Sequence, residues 1–201
     1  MYGDDRQKWK KYIATVLAKP IDDISKDDWD ELTGWKETSI VHASLDAGLR
    51  PCEVGRARVS WFDSSNDVLR IPEEDASKNR DNWIVALRTE TSDILQQWVV
   101  ERECYEKYED TDRLWLTRRA NPYSSSSLKT ILERVCDRAG IDTEYRSLTW
   151  YAIRHSVGTY MTHAEGLTAA KEQLRHKSSQ TTMKYDQVPI EERQNALDRM
   201  G

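Results

Sequence analysis

Apolar residues recur three and four apart along most of this chain and alternate only in one short region before its middle. In "DDRQKWKKYIATVLA", Trp9, Tyr12, Ile13, Val16 and Leu17 share one helical face. "SKDDWDEL" reads as a second helix start, with Ser25 as N-cap and acidic residues in the first turn, where the helix dipole favours them. "TSIVHASLDAGL" predicts a further helix closed by Gly48, and Pro51 suits the first position of a short helix over "PCEVGRA". The period then drops to two. "ARVSWFD", "DVLRIP" and "NWIVAL" are β-rich runs split by "SSND" and "EEDASKNRD", which predicts a three-stranded antiparallel sheet.

Helical spacing returns in "TSDILQQWVVERECYEKY". After a loop around "RRANPY", the serines at 124–127 cap "LKTILERVCDRAG", whose Leu128, Ile131, Leu132 and Val135 form one stripe. "SLTWYAIRHSVGTYMTHA", "TAAKEQLRH", "SSQTTMKYD" and "PIEERQNALDRM" complete the helical set, the last opened by Pro189. The fold class expected is α+β, mostly helical, with one small three-stranded antiparallel sheet inserted early.

Length and composition narrow this picture. The 201 residues suffice for one domain with an N-terminal extension, divided here into 1–22 and 23–201. Apolar residues at 38% and charged residues at 32% fit a globular chain. No apolar run approaches the roughly 18 residues of a membrane span, and "MYGDDRQKWKKY" is charged where a signal peptide would turn apolar. Cys52, Cys104 and Cys136 are far apart and never in a CxxC pair, which argues against a disulfide scaffold or zinc ribbon and for a reducing cytoplasm. The net charge of −5 conceals a split: residues 1–110 carry 16 Lys+Arg against 24 Asp+Glu, and residues 111–201 carry 14 against 11. For a polyanion the local field decides, so the second half remains a candidate surface for nucleic acid.

Two stretches concentrate reactive side chains: "YAIRHSVGTYM", from Tyr151, and "LRHKSSQTTMKY", from Leu174. In the first, Trp150, Ile153, Val157 and Met161 form the expected buried stripe, with Tyr151, Arg154 and Gly158 on the neighbouring face. Arg154 then stands at the core edge, where a snorkelling arginine is the ordinary outcome. In the second, His176 precedes Tyr185 by nine residues, with hydroxyl side chains between. "GLRPCE" sets Arg50 and Glu53 just past a helix end, where an arginine also suits the C-terminal dipole.

Taken in order, "GLRPCE", "SKNRDNWIVAL", "YAIRH", "LRH" and "SSQTTMKY" resemble the catalytic domain of the tyrosine recombinases, the phage integrase family. That family's pattern is G-L-R-x-x-E, a lysine in a β-hairpin, H-x-x-R-H, L-G-H, and a tyrosine nine residues beyond that histidine. The resemblance runs from Ile24 to Arg199. It implies that Tyr185 attacks a DNA phosphate and holds the 3′ end, that Arg50 and Arg154 grip the non-bridging oxygens, and that Lys78 protonates the departing 5′ oxygen. Arg80 and Arg88 compete with Lys78 for that last position. His176 would donate a hydrogen bond to the phosphate, and Glu53 would steady Arg50 from behind. Planar guanidinium forks match phosphate oxygens two at a time, so the resemblance implies no metal or other cofactor.

The chain departs from the pattern twice. Tyr151 stands where the family has histidine; a phenol is a poorer base than imidazole at neutral pH, so cleavage is expected to be slowed rather than abolished. Arg175 stands where the family prefers glycine, which puts the tight turn in question and offers an extra cation to a phosphate. Only the residues before Ile24 precede the resemblance, so the family's N-terminal core-binding domain is expected to be absent, the chain being either a single-domain member or an excised catalytic fragment. The expected partner is double-stranded DNA, in a homotetramer docked through "PIEERQNALDRM". The alternatives are a DNA-binding relic that no longer cleaves, and a topoisomerase-like enzyme that nicks and reseals.

Overall fold

The computed structural model describes residues 34–76, 81–138, 140 and 149–183. In chain order these form helix α1 (Trp35–Ala47), α2 (Pro51–Arg56), a 3-10 turn (Val59–Trp61), strands β1 (Phe62–Asp63), β2 (Val68–Ile71) and β3 (Trp83–Ala86), and helix α3 (Thr89–Arg102). A 3-10 turn (Glu106–Tyr108), α4 (Ser125–Arg138), α5 (Trp150–Gln173) and α6 (Ser179–Met183) follow. The strands lie in the order β1-β2-β3, all antiparallel, with Val68 opposite Ala86 and Ile71 opposite Trp83. The mostly helical α+β class with one early sheet is what the periodicity predicts. The expected helices around Trp9, Ser25 and Pro189, the boundary after residue 22, and both Lys78 and Tyr185 lie outside the described residues.

Three elements differ from expectation. "ARVSWFD" is not one strand: Val59 N–H donates to Asp112 O and Leu114 N–H to Ala57 O, so its first half pairs with the 112–114 segment and only Phe62–Asp63 joins the sheet. Helix α3 stops at Arg102, whose guanidinium donates to the carbonyls of Thr111 and Arg113. The chain folds back there, placing the Tyr108 ring edge-on to Trp98 at 5.7 Å between centroids. Helix α5 absorbs both "WYAIRHSVGTYMTHA" and "TAAKEQ", and their junction survives as non-helical Gly166, with φ of 85°.

The core is built around four fully buried tryptophans, Trp61, Trp98, Trp115 and Trp150, with α1 packed between α3 and α5. Trp98 Nε1 donates to Leu114 O and Trp115 Nε1 to Ser39 Oγ, which satisfies both indoles as their rings leave water. Buried Glu101 of α3 accepts the Trp35 N–H at 2.6 Å, a carboxylate on the positive end of α1. Desolvation holds its pKa above the usual carboxylate value.

The other end of α1 positions the site. Gly48 closes the helix in the left-handed region, with φ of 55° and ψ of 43°. A Cβ there would stand 2.6 Å from Leu174 Cδ2 and 3.6 Å from Arg154 Cγ, so glycine lets α5 and the turn after it close on the α1 terminus. Gln173 adds a clamp: its Nε2 donates to Asp46 O and Ala86 O, and its Oε1 accepts from Ala86 N–H. One side chain thereby joins α1, α5 and the outer edge of β3.

Candidate active site

The α1–α2 corner delivers the first pair of residues. After Gly48, Leu49 is fully buried and Arg50 is extended at the N-cap of α2, with Pro51 opening the helix. Arg50 is therefore no C-terminal dipole cation. Its backbone N–H donates to Glu53 Oε2 at 2.7 Å and its Nη1 to Glu53 Oε1 at 2.8 Å. Glu53 thus fixes Arg50 by both main chain and side chain, from the inward side.

Helix α5 delivers Arg154, and here the structure corrects the sequence reading. Arg154 does not snorkel from the core edge; it is 4% exposed. Its guanidinium donates to the carbonyls of Gly48 and Leu174, and Nη2 lies 3.0 Å from His176 Nε2. Met161 is only half-buried, and Thr162 takes the buried position with its hydroxyl donating to Gly158 O at 2.7 Å. Tyr151, one turn before Arg154, is 56% exposed.

The turn after α5 delivers Arg175 and His176. Arg175 adopts φ of 57°, so an arginine occupies a left-handed turn position that glycine fills at less cost. Its side chain does not face outward as a spare cation. It is 2% exposed, with Nη1 donating to Ala47 O at 2.7 Å and Gln173 O at 3.0 Å, and Nη2 to Gly48 O at 3.2 Å and Glu53 Oε2 at 2.7 Å. Burial alone would push the Glu53 carboxyl up. The charges of Arg175 and Arg50, with hydrogen bonds from the Arg50 backbone and Arg175, instead hold it down to about 2.

His176 is buried between two partners. A guanidinium only donates, so Nε2 accepts from Arg154 and the ring proton belongs on Nδ1, which stands 2.9 Å from Thr182 Oγ1 of α6. Arg50, Glu53, Arg175, Gly48 O, Arg154, His176 and Thr182 therefore form one continuous hydrogen-bonded chain drawn from four parts of the fold. Lys78 and Tyr185 lie outside the described residues; among the described ones, Lys177 Nζ pairs with Asp81 Oδ2 at 3.0 Å. Arg88, a competitor for the role of Lys78, is committed elsewhere through Nε to Asp46 Oδ1 at 2.8 Å.

Residues 21–192 match the profile described as "Phage integrase family", which covers the corner, the hairpin and the α5–α6 turn together. The chain belongs to that family. Among its relatives, tyrosine recombinase XerC of Syntrophus aciditrophicus (strain SB) is 24% identical over 200 residues, spanning 94% of this chain and 62% of the relative. Tyrosine recombinase XerD of Corynebacterium glutamicum is 24% identical over 173 residues, 86% of this chain and 55% of the relative. The chain thus spans about three-fifths of the curated relatives it matches. The XerA recombinase crystal structure superposes with a TM-score of 0.69 at 16% identity, over 100% of this chain and 64% of that one. XerH bound to palindromic difH substrate superposes at 0.66 and 19% identity, over 98% and 52%. These structural likenesses establish an integrase-type catalytic fold.

Sequence reasoning singled out Arg50, Glu53, Arg154 and His176, and the structure brings those four together. It missed Thr182 and Gln173. Thr182 lies six residues from His176, a separation that puts the two on different faces of a helix. Gln173 is one polar residue on a mixed helix. No pattern in the sequence marks either as a cross-link.

Proposed function

We propose that this chain is the catalytic domain of a site-specific DNA recombinase that breaks and rejoins strands through a covalent 3′-phosphotyrosine. The observation that carries this reading is the continuous network joining Arg50, Glu53, Arg154 and His176 in a chain of the phage integrase family. The likeness to XerH captured on its difH substrate supports double-stranded DNA as the partner.

In the proposed reaction the Tyr185 oxygen attacks phosphorus, the bond to the 5′ oxygen breaks, and Lys78 supplies the proton that oxygen takes. Negative charge gathers on the equatorial oxygens as this happens. Arg50 and Arg154 neutralise it, the kind of preorganised electrostatic stabilisation that is usually the largest catalytic contribution. For His176 to add a hydrogen bond at the same phosphate, its Nε2 exchanges the Arg154 contact for a proton and donates from there; Tyr151 helps pass the nucleophile's proton outward. The aryl phosphodiester retains the energy of the bond it replaced, so a free 5′ hydroxyl can attack it and reseal the strand without ATP. A homotetramer assembled through the stretch after Pro189 belongs to the same reading, as does a cytoplasmic location.

The test uses duplexes nicked to trap the cleaved state and randomised around the nick. Wild type is expected to yield a denaturation-resistant protein–DNA adduct and Tyr185→Phe none. An adduct that persists in Tyr185→Phe, or wild type that forms none on any recovered sequence, sinks the proposal. The second result favours a non-cleaving DNA binder, the reading that Tyr151 in place of histidine suggests.

A further inference from the structure

We propose that Arg175 is a positioning residue: its buried guanidinium, joined to Glu53 and to the carbonyls ending α1, sets how Arg50 and the adjoining His176 meet a DNA phosphate. This inference rests on the recombinase reading above and extends it to a residue outside the expected catalytic set.

Three observations carry it. First, the backbone at Arg175 is left-handed, with φ of 57°, a conformation that disfavours any residue bearing a Cβ. An arginine persists there because its guanidinium ends in four hydrogen bonds, one of them the 2.7 Å ion pair with Glu53. Second, the Glu53 carboxylate is divided: Oε1 takes Arg50 Nη1, while Oε2 takes Arg50 N–H and Arg175 Nη2. One negative charge facing two guanidiniums leaves a net positive pair, so Arg50 is held by Glu53 without being neutralised by it. With Arg175 gone, Glu53 serves Arg50 alone and the two collapse toward a neutral pair. Third, of these three arginines Arg50 reaches solvent most, with its side chain 11% exposed against 2% for Arg175 and 4% for residue Arg154. Arg175 touches no incoming ligand; it acts through Glu53 and through the backbone it shares with His176.

The prediction separates chemistry from binding. Duplex affinity is spread over many phosphate contacts, whereas Arg50 counts most as charge develops during cleavage. Single-turnover adduct formation at saturating nicked duplex is measured for wild type, Arg175→Gly and Arg175→Lys, alongside half-saturating duplex concentration and melting temperature. Arg175→Gly, whose glycine suits the turn, is expected to bind duplex within about threefold of wild type yet form adduct roughly tenfold more slowly, with Arg175→Lys between them. Arg175→Gly cleaving as fast as wild type overturns the inference, as does a rate loss mirrored by an equal loss of duplex affinity. If Arg175→Gly fails to fold, Arg175→Lys is read the same way, and a wild-type rate in it overturns the inference.

If wild type itself forms no adduct, the recombinase reading fails separately. Arg175 is then judged by titrating inorganic phosphate into protein with isotope-labelled arginine. An Arg50 guanidinium signal that responds at roughly threefold higher phosphate in Arg175→Gly sustains the positioning role, and an unchanged response ends it.

Discussion

The His176 ring is oriented from both edges by buried partners, Arg154 at Nε2 and Thr182 at Nδ1. Thr182→Val keeps the shape and removes the acceptor, leaving a buried N–H unsatisfied at about 1–3 kcal/mol. The expected result is adduct formation slowed about tenfold, since roughly 1.4 kcal/mol of lost transition-state stabilisation has that effect, with duplex binding nearly unchanged. Tyr151 is the opposite kind of position. Its exposure means that replacement disturbs little packing, so Tyr151→His is expected to leave the melting temperature unchanged. If its imidazole relays the nucleophile's proton, adduct formation accelerates several-fold near neutral pH; an unchanged rate would remove Tyr151 from the proposed machinery.

Among the elements, α1, β3 and α5 are joined through Gln173. Gln173 makes three hydrogen bonds there, to Asp46 O and to both backbone groups of Ala86. It occupies the free edge of β3 much as a neighbouring strand would. Gln173→Ala should release that edge without emptying the core. Faster amide exchange at Ala86, with the global melting temperature lowered only slightly, is the expected signature. Slower adduct formation should accompany it if the hairpin delivers Lys78. A different contact accounts for the misread element: the run ahead of β1 alternates like a strand, but its partner is the 112–114 segment, which the alternation does not name.

For the whole molecule, Glu53 links the site to stability. Its folded pKa of about 2 lies below the ordinary 4.5, so its ionised form stabilises the fold. That contribution is fully present above the ordinary value and is lost as pH falls from 4.5 toward 2. Glu53→Gln lacks it at every pH. Urea midpoints should therefore differ most between wild type and Glu53→Gln near neutrality and converge through that acid window; a constant gap would contradict the assignment. Among the described residues no helix is long and apolar enough to cross a membrane.

What could be read from one dimension is whatever repeats locally or matches a motif. The αL closure at Gly48, Pro51 at a helix start, the three-stranded sheet and the family membership all follow from neighbours within a few residues, where period and turn chemistry act. Arg50 with Glu53 belongs to the same class, as an i, i+3 pair on one corner. The burial of Arg154, the inward turn of Arg175 and the tethering of His176 by Thr182 did not. The first two depend on groups up to 128 positions apart, such as Arg175 and Ala47 O, and the last on the turn between His176 and Thr182. Only the closing of α5 onto the end of α1 brings such groups within bonding distance and lets buried charges find the carbonyls and carboxylate that keep them there.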